Sequence, residues 1–195
     1  MAIDSDLELM TRVSRGDTES FAVLLQRHRS PVLNYFVRMV RDRALAEDLT
    51  QEVFMRVYQA RERYQPEARF TTWLYRIATN LALNALRDRR SEKVADIPER
   101  QQGDEGSPLE RVPDERPTVE QRMVESDRQR LIRQAIEGLP GNQRAAVILH
   151  KYQEVDYRQI AKVLKVSESA VKSLLFRAYE TLRVRLEPLV QGGLV

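Results

Sequence analysis

The chain has 195 residues, 42% of them hydrophobic and 31% charged, with a formal net charge of +3; this apolar content can build one ordinary domain or two small ones and excludes a wholly disordered polymer. No stretch approaches the roughly 18 uninterrupted apolar residues of a spanning helix, and the opening MAIDSDLELM lacks the basic-then-apolar order of a signal peptide, so a soluble, cytoplasmic protein with no membrane insertion is expected. With no cysteine and only two histidines, His28 and His150, a disulfide framework and thiolate or multi-histidine zinc chemistry are excluded, and neither metal nor cofactor is expected.

Apolar residues recur at spacings of three and four without strand-like alternation, which predicts an all-α fold. In residues 1–90 a helix is predicted after Gly16, where Asp17 can cap a stretch holding Phe21, Leu24 and Leu25. Pro31 is expected to interrupt or restart it. In Leu45 and the following AEDLTQEVFMRVYQA, Leu45, Leu49, Val53 and Val57 form a core stripe, and Asp48, Gln51, Glu52 and Met55 form a separate outward one. Asp48 and Glu52 could be an acid and base pair, but carboxylates at this spacing are common on solvated helices, and a protein-docking face is the better expectation.

The next helix is predicted within YQPEARFTTWLYRIATNLALNALRDRR, with Leu74, Ile77, Ala78, Leu81 and Ala85 inward. On another face Trp73, Arg76, Asn80, Asn84 and Arg87 combine an aromatic ring, amides and guanidinium groups, the set that stacks on unpaired bases, bonds their edges and neutralises phosphates. The preceding loop adds Tyr64, Arg69 and Phe70 to that candidate surface. A plain alternative is that Trp73 anchors the core while the polar groups face water.

Residues 91–118 contain Pro98, Pro108, Pro113 and Pro117 with Gly103 and Gly106 and show no helical period, which predicts a flexible linker between two small domains, 1–90 and 119–195. Basic and acidic side chains number 15 and 12 before the linker, 4 and 8 within it, and 13 and 9 after it. Two basic lobes joined by an acidic strip suit a polyanionic partner, although solvated basic faces are common.

In the last lobe, Leu139-Pro140-Gly141-Asn142 is a turn before a helix carrying Ala146, Val147 and His150. Asp156 and Gln159 suit the start of a short helix with Ile160, Ala161 and Leu164 inward; Lys165 and Val166 make a turn, and Ser167 can cap the next helix. That helix places Val171, Leu174, Leu175 and Leu182 in the core and Glu168, Ser169, Lys172, Ser173, Phe176 and Arg177 outward. Two helices joined by so short a turn form a helix-turn-helix, and an outward phenylalanine among polar groups suits a thymine methyl in the major groove.

The order of GDTESFAVLLQRH, AEDLTQEVFMRVYQA, FTTWLYRIATNLALNALRDRR, the linker, LPGNQRAAVILHKYQEVDYRQIA and SESAVKSLLFRA resembles the extracytoplasmic-function (ECF) sigma factors of bacterial RNA polymerase over nearly the whole chain. By that resemblance the first lobe is the family's second conserved region and the last its fourth. The resemblance implies that Asp48, Gln51, Glu52 and Met55 dock on the polymerase clamp helices. It implies that Tyr64, Arg69, Phe70, Trp73, Arg76, Asn80 and Asn84 read and open the −10 promoter element on the non-template strand, and that Glu168, Ser169, Lys172, Ser173, Phe176 and Arg177 read the −35 element. Core RNA polymerase, promoter DNA and an anti-sigma factor are the implied partners, and the acidic linker would thread toward the polymerase active site and RNA exit path, imitating nucleic acid. The expected protein is a non-enzymatic sigma factor; the alternatives are a stand-alone helix-turn-helix regulator and a small carboxylate-dependent enzyme.

Overall fold

The structure is a computed structural model and describes residues 5–64, 69–95 and 119–191, without the side chains of 92–95, 119–127 and 188–191. Among the described residues every regular element is helical. Helix α1 (Asp6–Ser14) begins at a capping box in which Ser5 Oγ accepts from the Glu8 N–H and the Glu8 carboxylate accepts from the Ser5 N–H. Asp17 caps α2 (Thr18–Val40), accepting from the N–H groups of Glu19 and Ser20 at 3.0 and 3.1 Å. Asp42 caps α3 (Arg43–Gln59) through the Leu45 N–H. A 3-10 turn at Arg61–Arg63 precedes α4 (Phe70–Ala95).

Two expectations need correction. Helix α2 runs through Pro31 without a break. A proline inside a helix forfeits one hydrogen bond and costs about 3 kcal/mol, but Leu24, His28, Val32, Tyr35 and Phe36 lie on both sides of it and are all buried. That burial holds the two halves on one axis. Helix α4, in turn, continues to Ala95, into the window read as linker, because Ser91 to Ala95 contain no helix breaker before Pro98. The rest of that window, residues 96–118, lies outside the described residues.

The second half consists of α5 (Val119–Glu137), α6 (Gly141–Tyr152), α7 (Tyr157–Leu164) and α8 (Glu168–Gln191). Asp156 caps α7 by accepting from the Gln159 N–H at 2.8 Å. Lys165 ends α7 in the left-handed conformation at φ 55°, and Ser167 Oγ then accepts from the Ala170 N–H at 3.1 Å. The two halves do not merely share a chain. Helix α4 packs on α2 and α3 and also on α6 and α7, which buries Leu74, Tyr75, Ala78, Thr79, Leu81 and Ala82 and leaves one polar stripe of the helix outward.

Candidate nucleic-acid and polymerase interfaces

Three surfaces carry the residues singled out in the sequence. On α3, Asp48, Gln51 and Met55 are exposed, and Glu52 is half-buried with its carboxylate accepting from Arg56 Nε at 2.6 Å. Of the core stripe beneath, Val53 and Val57 are fully buried while Leu45 and Leu49 pack against the core from its edge. Beside this stripe lies a feature that sequence spacing alone did not single out, an apolar groove of about 380 Å³ lined by Phe21, Leu25, Leu33, Phe54, Met55 and Tyr58, with Arg29 and Glu47 also on its walls. Phe21 and Leu25 therefore edge a groove instead of filling the core with Leu24. Their four-residue spacing, offset from the buried Leu24 and His28, is the signal that could have shown it.

On α4 the predicted stripe divides. Arg76, Asn80, Asn84 and Arg87 are exposed, with Arg87 Nη2 donating to Asn84 Oδ1 at 3.1 Å. Its aromatic end turns inward. Phe70 is buried, its ring 5.3 Å from that of His28 and 6.1 Å from that of Trp73, because it stands one turn before Leu74 on the core face. Trp73 and Tyr64 are half-buried, with ring centres 5.1 Å apart. The Tyr64 hydroxyl has no hydrogen-bond partner among the described residues, and burial pushes its pKa up. Arg69 is exposed at the start of α4; residues 65–68 of the aromatic loop lie outside the described residues.

On α8 all six singled-out residues, Glu168, Ser169, Lys172, Ser173, Phe176 and Arg177, are exposed over Val171, Leu175 and Ala178, which are buried. Phe176 is 68% exposed, a large uncompensated apolar surface. The Ser173 hydroxyl donates to the Ser169 carbonyl at 3.1 Å, so its hydrogen is engaged within the helix. His150, which the sequence left without a role, lies 3.2 Å from the Tyr179 hydroxyl and against the Tyr157 ring, inside the second half.

Residues 24–92 match the model of sigma-70 region 2, and residues 129–182 match that of sigma-70 region 4. The RNA polymerase sigma-H factor of Pseudomonas aeruginosa is 34% identical over 96% of this chain and 97% of its own length. The ECF RNA polymerase sigma-E factor of Haemophilus influenzae is 32% identical over 95% of this chain and 97% of its own. The chain belongs to the ECF RNA polymerase sigma factors. Such a factor directs RNA polymerase to specific promoters. The fold of this sigma factor is also that of CnrH in its complex with the cytosolic domain of CnrY, at a TM-score of 0.70 and 19% identity over 95% of this chain and 99% of that one. It likewise matches RpoE of Bartonella quintana in complex with the anti-sigma factor NepR, at 0.64 and 18% over 87% and 98%. No described helix of the sigma factor is long and apolar enough to cross a membrane.

Proposed function

We propose that the three surfaces divide the work of promoter recognition and opening. The face of α3 formed by Asp48, Gln51, Glu52 and Met55, with the adjoining groove, docks the polymerase clamp helices: charges at the rim orient the partner and the apolar floor supplies buried area. The α4 stripe, from Arg69 and Trp73 through Arg76, Asn80 and Asn84, holds unpaired bases of the −10 element, with Tyr64 bracing Trp73 and Phe70 backing both from the core. Glu168, Ser169, Lys172, Ser173, Phe176 and Arg177 read the −35 element from the major groove. The working units are residues 1–90, prolonged by α4 to Ala95, and 119–195, with the remainder of the 91–118 window between them. The protein acts in the cytoplasm, has no catalytic activity of its own, and is held in check by an anti-sigma factor, a partner suggested by the complex of RpoE with NepR.

One observation carries the opening role. Helix α4 is packed against both halves of the molecule and still presents Arg76, Asn80 and Asn84 to solvent, a row of edge-reading groups that a regulator of intact duplex would not need outside its helix-turn-helix. Asn80→Ala is expected to leave polymerase binding and upstream DNA binding near wild type while abolishing transcription from duplex promoters. A pre-melted template should restore part of the activity. Wild-type transcription from duplex templates, or no rescue by the bubble, would remove the opening role.

A further inference from the structure

Helix α1 lies outside the stretch that matches sigma-70 region 2, which begins at residue 24, and none of the three surfaces includes it. It nevertheless packs on all the elements that carry the aromatic cluster: α2, the 3-10 turn that leads to Tyr64, and α4. Leu9, Met10 and Val13 bury its apolar face, and Asp6 reaches from its first turn to α2. Asp6 Oδ1 accepts from Arg27 Nη1, and Oδ2 accepts from His28 Nε2 at 2.8 Å. From His28 the contacts run outward. Its buried ring stands 5.3 Å from that of Phe70. Phe70 in turn stands 6.1 Å from Trp73 and 6.5 Å from Tyr64, and Tyr64 closes on Trp73 at 5.1 Å. This series of rings begins at a carboxylate in α1 and ends at the half-buried indole of the α4 stripe.

On the assignment of the α4 stripe to the −10 element, on which this reading rests, we propose that Asp6 is a positioning residue for promoter opening. By fixing the His28 ring beneath Phe70, it sets the orientation in which Trp73 meets an unpaired base. The torsion that turns an imidazole about its Cβ–Cγ bond is soft and broadly distributed, so packing alone leaves the plane of the ring loosely set. A bond from Nε2 to a carboxylate selects one plane and one tautomer. The carboxylate is itself bonded at both oxygens and cannot swing away from the ring. Phe70, 2% exposed, has no space in which to absorb a turn of His28, and hands the displacement to Trp73, which solvent leaves unconfined on one side. Stacking on a base depends on the plane of the indole, and a binding group keeps such a plane only when the side chains behind it are locked by packing and hydrogen bonds. A tie serving merely to hold α1 on α2 would duplicate the work of Leu9, Met10 and Val13; a bond to the ring under Phe70 does not.

The test uses the full chain, in which Trp73 is the single tryptophan and so reports its own surroundings by fluorescence. Asp6→Ala should shift the Trp73 emission and raise its quenching by acrylamide while the helical circular dichroism signal is retained. With core polymerase it should open a duplex promoter roughly tenfold less well, a loss in the range set by one stacked base, with polymerase affinity and upstream duplex binding at wild type. Val13→Ala deletes a buried side chain of the same helix and leaves the carboxylate in place; it should lower the urea midpoint without either effect. In a His28→Phe background, where a ring remains but cannot donate, adding Asp6→Ala should change neither readout further. Wild-type Trp73 emission and quenching in folded Asp6→Ala would overturn the proposal. So would the same changes in Val13→Ala, or additive effects in the His28→Phe background. The fluorescence of the free chain involves no DNA, so it stands apart from the assignment of the −10 surface. That assignment fails if Trp73→Ala opens duplex promoters at the wild-type rate; if Trp73→Ala is defective and Asp6→Ala opens normally, the positioning role fails alone.

Discussion

Phe70 shows how one side chain can be misplaced by its neighbours in sequence. It follows Arg69 and precedes Trp73, and that company reads as a base-stacking cluster; its position one turn before Leu74 puts it in the core instead, with 2% of its surface exposed. Phe70→Ala is accordingly expected to cost about 3–5 kcal/mol of stability in a urea titration, whereas Asn80→Ala, on the exposed stripe, should change stability by less than about 0.5 kcal/mol. The opposite ranking would return Phe70 to the surface. His28 packs against the same ring and lies 2.8 Å from Asp6 Oδ2. Its burial pushes its pKa below the ordinary value, outweighing the opposing pull of Asp6. The unfolded chain then takes up this proton before the folded one does. The stabilisation is full above the unfolded pKa of about 6.5 and is lost as pH falls through the lower folded value. Urea midpoints measured between pH 8 and pH 5 should fall more steeply for the wild type than for His28→Asn; parallel curves would show that His28 does not carry the dependence.

At the level of helices, the caps were the most legible part of the sequence. Asp17, Asp156 and Ser167 each sit before a periodic apolar run and each accepts a bond from the first turn of its helix, because capping is a local property. Pro31 and the length of α4 were less legible, since burial on both sides of a proline and packing from two directions are not local at all. The outward face of α8 was readable because Phe176 breaks the polar pattern, whereas the groove beside α3 was easily missed, because half-buried Phe21 and Leu25 share the four-residue spacing of core residues and differ only in their offset from Leu24 and His28. The proposed reading of the −35 element by α8 has its own consequence. Arg177 stands exposed on the outward face of α8, and a bidentate pairing with a guanine edge is worth roughly 1–3 kcal/mol of discrimination. Arg177→Ala is expected to lower affinity for the upstream element more than affinity for random duplex, measured by competition at fixed salt. Equal losses would mark a phosphate contact.

For the molecule as a whole, composition announced two lobes, but nothing in it announced that they touch. Gln153 and Arg144 look like solvated residues in sequence, and only the meeting of α2, α4 and α6 gives them buried partners. That meeting bears on how the protein melts. Because α4 contributes to the packing of both halves and their buried apolar side chains form one continuous cluster, neither half can lose its structure without stripping the other of a wall. Heating should therefore produce one calorimetric peak whose van't Hoff and calorimetric enthalpies agree. A Cβ at Gly141, at the start of α6, would come within 2.8 Å of Leu83 Cδ2 on α4, so Gly141→Trp should push the two halves apart there and split that single peak in two.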